Sequence, residues 1–177
     1  KSLLIRFART AAERFARAAE LFAATGDLEG AAMATAMRGV CHHVTQLDRE
    51  TAWPILLEAH GMAPSPKTSL ARAEAARHLG QIKQEQGDIP GGIAFLEESV
   101  QIREAAGKPL HLPSAYHVLG YARLEANDFD GAEADLDRAN RLARELDLPL
   151  TVAMVARNKA DLDFARIAPA IWRRSHP

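Results

Sequence analysis

Two kinds of punctuation recur along this chain with one period. Aspartates at 48, 88 and 128 sit in the short turn signals Leu47-Asp48-Arg49, Gly87-Asp88-Ile89 and Asn127-Asp128-Phe129, 40 residues apart each time. Glycines at 39, 80 and 120 precede them at intervals of 41 and 40, and the next step lands on Ala160. Repetition at such an interval is the signature of a stack of small units, each unable to bury its apolar face alone.

Between the markers the apolar residues step by three and four, the spacing of one helix face. Ala132, Leu136, Ala139, Leu142, Ala143 and Leu146 do so, as do Ile89, Ile93, Leu96 and Val100, and Ala11, Phe15, Ala18 and Phe22. No sustained period-two alternation signals a strand. Breakers at Gly26-Asp27, Gly61 to Pro66, Gly107-Lys108-Pro109 and Asp147-Leu148-Pro149 divide the helices. The pattern predicts an all-α fold of helices near 6–25, 29–45, 50–60, 69–86, 90–106, 113–126, 130–146 and 150–167. As a stack of antiparallel pairs, the chain is expected to form one repeat domain over 1–177, with full repeats at 28–67, 68–108 and 109–148 and partial ones at 1–27 and 149–177. Gly26-Asp27-Leu28 resembles Gly87-Asp88-Ile89, so a second register would pair 6–25 with 29–45 and leave 50–60 as an insertion; the period of 40 uses every segment. Asp130 and Glu133 are placed to cap the helix after the Asn127-Asp128 turn. Trp53-Pro54 predicts a helix start near Thr51, with Trp53 in the core. Gly39, Gly80, Gly120 and Ala160 form one small-residue set, and Ala34, Ala75, Ala115 and Val155 a second. A glycine inside a helix costs about 1 kcal/mol against alanine, so its recurrence predicts close approach to a neighbouring backbone.

Charge and composition narrow the function classes. The net charge is -1 and the pI about 6.7, with aromatics at 6%, which offers neither a basic footprint nor stacking platforms for nucleic acid. Cys41 is the single cysteine, so no disulfide forms within the chain and a reducing, cytoplasmic setting is expected. No apolar run is long enough to span a membrane. The opening Lys1-Ser2-Leu3-Leu4-Ile5-Arg6 lacks a signal-peptide core and an initiator Met, and Trp172-Arg173-Arg174-Ser175-His176-Pro177 trails off after a helical pattern. A segment of a longer polypeptide is expected, with outer helices that expose Phe7, Phe15 or Ile167 and so favour self-association or fraying.

Tyr116-His117-Val118-Leu119-Gly120 follows the aromatic-x-x-Leu-Gly core of the tetratricopeptide repeat family, and Leu79-Gly80 repeats its centre with Ala76 in place of the aromatic. Asn127-Asp128-Phe129 followed by Ala132 and Leu136 resembles that family's turn and second helix. The resemblance covers 70–146 best. It departs from the family in the period, 40 against the usual ~34, and in Lys83 and Arg123 where an aromatic is usual. Longer units of this kind resemble those of bacterial regulators that join a nucleotide-hydrolysing switch and a DNA-binding domain to a helical sensor arm, and those of kinesin-light-chain arrays. The resemblance implies a right-handed superhelical α-solenoid whose concave face, built by first helices, holds a protein or peptide. By helical phase that face would carry Glu74, Arg77, Gln81 and Gln84, then His117, Tyr121 and Leu124, then Arg157 and Asp161. Arg77 suits a carboxylate and Tyr121 an aromatic wall. The family's carboxylate-clamp pattern of Lys and Asn is not matched.

Other chemistries find little. Cys41-His42-His43 puts neighbours about 100° apart on a helix, no His-x-x-x-His pair exists, and His111 and His117 flank Pro113, so no metal or other cofactor is expected. His60, His78 and His176 read as ordinary polar or partly buried residues. Cys41 shares its repeat position with Ile82, Ala122 and Leu162 and reads as packing. Phosphate loops, nucleophile elbows and zinc-protease motifs are absent from the sequence, and no catalytic residue is assigned. Glu97-Glu98 and Asp135-Asp137 read as solvated second-helix faces, with Arg141 a partner for Asp137. The expected function is a partner-docking arm of a bacterial signalling or transcriptional regulator, contacting neither nucleic acid nor membrane itself. The alternatives are a structural or self-association module of a multidomain cyclase or kinase, and a small-molecule-binding repeat domain.

Overall fold

The structure is a computed structural model that describes 3–44, 48–62, 64, 65, 67, 69–169, 171 and 172, with the backbone path alone for 3–6. Lys1, Ser2, Leu47, Pro66, Arg173, Arg174, Ser175, His176 and Pro177, named above, lie outside the described residues. The fold is all-α: α1 Leu3–Ala24, α2 Leu28–Val44, α3 Arg49–Met62, α4 Leu70–Glu85, α5 Ile89–Ala105, a 3-10 turn Pro109–His111, α6 Leu112–Glu125, α7 Phe129–Glu145 and α8 Pro149–Ile167. The chain divides into two compact units, Lys1–Gly107 and Lys108–Pro177. No helix among the described residues is long and apolar enough to cross a membrane.

The joints follow from local chemistry. Gly26, Gly87 and Gly107, with Asn127 and Asp147, hold φ between 51° and 83°, the left-handed conformation that ends a helix. At Gly87 the chain closes with Asp88 N–H donating to Lys83 O at 2.9 Å and Gly87 N–H to Gln84 O at 2.8 Å. The next helix then opens on an aspartate: Asp27, Asp88 and Asp128 accept from the N–H of Gly30, Gly91 and Gly131 at 2.8, 3.0 and 3.0 Å. A carboxylate at that position satisfies an orphan donor at the positive end of the helix dipole. Asp128 thus takes the capping role expected of Asp130 and Glu133, which instead hold Arg166 of α8, each at 3.0 Å. Asp48 caps α3 by accepting from Thr51 N–H at 3.0 Å, so that helix begins at Arg49 rather than near Thr51. Pro54 then falls just past the first turn, and Trp53 is half-buried, edge-on to Phe95 with Lys83 Nζ 5.6 Å from its ring centre.

One close approach recurs between consecutive helices. In unit 1, a Cβ on Gly39 of α2 would lie 2.7 Å from Leu56 Cγ of α3, and one on Gly80 of α4 would lie 2.8 Å from Leu96 Cγ of α5. In unit 2, a Cβ on Gly120 of α6 would lie 2.9 Å from Leu136 Cγ of α7. Ala52, Gly92 and Ala132 stand one turn before these leucines, and Ala59, Ser99 and Ala139 one turn after. The core of unit 1 gathers Ala36, Leu56, Ala75, Leu79 and Ile82 where α2, α3 and α4 meet. In unit 2, Leu119, Leu136, Val155 and Leu162 close the equivalent core, and Arg138 lies over the Tyr116 ring at 4.9 Å.

The expected exposed ends are present in part. Phe7 is 64% and Ile167 84% exposed, while Phe15 is half-buried. Cys41 is half-buried rather than packed like Ile82, Ala122 and Leu162, and burial pushes its thiol pKa up.

At Gly80 an added methyl would also meet the Gly92 carbonyl oxygen at 2.8 Å, a backbone atom that cannot swing away. Gly80→Ala is therefore expected to lower stability by about 1–3 kcal/mol despite alanine's better helix propensity. Gly61→Ala, in α3 with open space around it, is expected to be neutral or stabilising by up to about 1 kcal/mol. Urea midpoints of the two variants check the contrast.

Candidate functional site: two polar clusters

In unit 1 a chain of polar groups crosses α2, α4 and α5. Glu74, half-buried on α4, is its centre. Its Oε2 accepts from Arg103 Nη2 of α5 at 2.5 Å, and its Oε1 faces His78 Nε2 at 3.3 Å and Arg77 Nη1 at 3.5 Å. Burial alone would raise the pKa of this carboxyl; the hydrogen bond from His78 and the charges of Arg103 and Arg77 outweigh it and hold it far below the usual carboxylate range. Arg103 is itself buried, and its Nε donates to Ser99 Oγ at 3.3 Å while Ser99 donates to Ala73 O at 2.6 Å.

On the other side, His78 Nδ1 meets His43 Nδ1 of α2 at 2.9 Å, and His43 Nε2 faces Glu85 Oε1 at 3.4 Å. Arg49, the first residue of α3, holds the far oxygen of Glu85 at 2.6 Å. The proton count follows from the partners. The three contacts need three protons and two neutral rings carry two, so with both rings neutral one of the two carboxylate contacts is made without a hydrogen bond. Burial lowers the pKa of both imidazoles.

In unit 2, His117 of α6 is buried against Asn158 of α8, Nε2 to Nδ2 2.9 Å. Arg157 donates from Nη2 to Asn158 Oδ1 at 3.2 Å and lies 3.9 Å from Asp161. Tyr121 sits among these groups; burial and the carboxylates of Glu125 and Asp161 push its pKa up to about 12, against the opposing charge of Arg157. Lys159 reaches back to Asp137 of α7 at 2.6 Å, a contact between helices rather than the expected pair with Arg141.

The predicted surface residues thus fall into one set per unit. Glu74 and Arg77 join an internal ion network. Gln81 is half-buried one turn on, and its Oε1 and Arg77 Nε are buried without hydrogen-bond partners. Gln84 packs toward α5, where a Cβ on Gly92 would lie 2.8 Å from its Cγ. Leu124 is fully buried and belongs to the core, because its phase turns it inward rather than onto an open surface. Tyr121, Arg157 and Asp161 keep part of their surface, and Arg157 is 74% exposed along its side chain. His43, Arg103 and Asn158 escaped the sequence pattern: each lies on a helix face that periodicity marks as interior. Glu98, expected on a solvated face, clamps three helices by accepting from Arg72 Nη2 at 2.5 Å and meeting His60 Nε2 at 2.9 Å. No group of three metal-ligating side chains occurs among the described residues. A cavity of about 170 Å³ lined by Arg9, Cys41, His42 and Asp48 is smaller than the ~300 Å³ at which organic ligands begin to fit. Comparison with protein-family models returns no match, and comparison with curated proteins returns none either.

Lowered histidine pKa values give a definite sign. Below pH 6.5 the unfolded chain binds protons that the folded pair refuses, so stability is complete above about pH 7 and falls with pH below 6.5. Each refused proton contributes a slope of at most about 1.4 kcal/mol per pH unit. Denaturant unfolding at pH 7.5 and 5.5 is expected to show this loss, and the His43→Asn/His78→Asn variant a shallower one.

Proposed function

We propose that this chain is a partner-binding helical scaffold of the tetratricopeptide type, and that it serves as the docking arm of a larger bacterial signalling regulator in the cytoplasm. The observation that supports the reading most is the cluster in unit 2, where Tyr121 of α6 shares a neighbourhood with Arg157 and Asp161 of α8. These are successive first helices of the repeat. They present an aromatic ring, an exposed guanidinium and a carboxylate together, the mixture that forms energetic centres in protein interfaces. Glu74 and Arg103 in unit 1 serve the reading differently, by holding α4 and α5 in fixed register.

The partner surface is tested by affinity capture from a bacterial lysate with chemical crosslinking. A genuine partner is expected to crosslink near α6 and α8, and to lose roughly tenfold or more in capture with Tyr121→Ala/Arg157→Ala. Glu145→Ala, on the exposed side of α7, is expected to leave capture unchanged. Equal capture by all three proteins ends this assignment.

A further inference from the structure

Unit 1 fastens the α2–α3 hairpin to α4 at two ends that answer differently to protons. Near the N-terminus of α4 the bonds run to carboxylates. Glu29 of α2 accepts from Ala71 N–H at 3.1 Å. Glu98 of α5 holds Arg72 Nη2 at 2.5 Å and His60 Nε2 of α3 at 2.9 Å, and Arg72 Nη1 reaches His60 O at 3.5 Å. His60 can present an Nε2 proton to Glu98 whether its ring is neutral or cationic, so this end keeps its bonds through the histidine range.

Toward the C-terminus of α4 the fastening is imidazole on imidazole. His43, next to last in α2, and His78 are both buried, their rings edge-on with centres 5.2 Å apart and Nδ1 atoms 2.9 Å apart. That contact exists only while at least one Nδ1 is bare. The surroundings oppose further protons. His78 faces Glu74 and Arg77 of its own helix and Arg103 of α5, while His43 faces Glu85 of α4 and Arg49 of α3. Arg9 of α1 lines a cavity with Cys41 and His42 instead. Three guanidiniums therefore stand against two carboxylates before either ring is charged. A first added proton makes this buried site more positive, and a second sets one N–H against another at 2.9 Å. The Arg49–Glu85 pair shares this end at 2.6 Å, but it is partly exposed and screened by solvent, so it holds weakly.

We propose that the His43–His78 seam is an acid-released latch: below about pH 5.5, where free imidazoles are charged, this end of the α2–α3 hairpin swings away from α4 and α5 about the Glu29 and His60–Glu98–Arg72 end as its pivot. The swing carries Trp53 of α3 off the Phe95 ring of α5. It opens the shared core of Ala36, Leu79 and Ile82 on one side only, so apolar surface is uncovered short of global unfolding. The latch is independent of any partner and involves neither Tyr121 nor Arg157.

Distances between paired nitroxide labels on the 177-residue chain, in a Cys41→Ser background, read the swing. One pair, on the exposed Glu50 of α3 and Ala94 of α5, spans the latch end; a second, on the exposed Glu58 of α3 and Gln101 of α5, spans the pivot end. Between pH 7.5 and 5.5 the first distance is expected to lengthen by about one helical turn, ~5 Å or more, and the second to stay fixed with the helical circular-dichroism signal retained. His43→Gln/His78→Gln, which keeps polar groups in the seam but cannot titrate, is expected to hold the first distance constant. His60→Gln is expected to respond as the wild type does. A first distance that does not change with pH overturns the proposal. Lengthening of both distances together, which is global unfolding, overturns it too, as does a double variant that still opens in acid or a His60→Gln variant that no longer does. If the double variant does not fold, the two wild-type distances decide.

Discussion

Much of this structure depends on a glycine in one helix lying under a leucine of the next. Gly39 with Leu56, Gly80 with Leu96 and Gly120 with Leu136 bring two helices closer than any side chain at the glycine would allow. The glycine gives up helix propensity, and the leucine recovers it by burying nearly all of its surface against backbone. Everything else in the pair is placed by this contact: the alanines one turn to either side of each leucine, the aspartate-capped joint, and the polar groups that bridge the two helices further along.

Those bridging groups show how the close approach is used. In α4 and α5 it brings Glu74 within reach of Arg103, two charges that neither helix could hold alone in so dry a place. A buried ion pair adds little net stability over apolar packing, but losing one partner leaves the other charge stranded. The network therefore acts on register: α4 and α5 cannot slide by a turn without breaking it. His43 extends the same restraint to α2, and Glu98 with His60 and Arg72 extends it to α3.

How much of this was legible in the sequence depends on the range of the interaction. The helix limits came out within a few residues because aspartate caps, left-handed joints and apolar periodicity are local. Asp130 misleads because it is an acidic residue in the first turn of α7, and only the three-dimensional structure shows Asp128 reaching the Gly131 amide. The His43–His78 contact joins residues 35 positions apart, and no spacing rule links them. Leu124 was assigned to the surface by helical phase alone; within the same helix Tyr121 and Leu124 differ by three residues, enough to turn one toward solvent and the other into the core. Of the candidate residues, Tyr121, Arg157 and Asp161 keep some surface, while His117 and Leu124 are buried and Glu74 and Arg77 join the network of Arg103, a residue that periodicity alone leaves unremarked.

The separation between each glycine and its leucine has a consequence for how the chain acquires its structure. Gly80 and Leu96, like Gly120 and Leu136, lie 16 positions apart, and Gly39 and Leu56 lie 17 apart. Closing so short a loop sacrifices little chain entropy, so each helical hairpin can zip up early, before distant segments have found one another. A nascent chain emerging from a ribosome would have each hairpin's central contact available as soon as its second helix had cleared the exit. Duplication of a 40-residue stretch would add a hairpin that already contains its own nucleus, which is a route by which such an array can lengthen without learning a new fold.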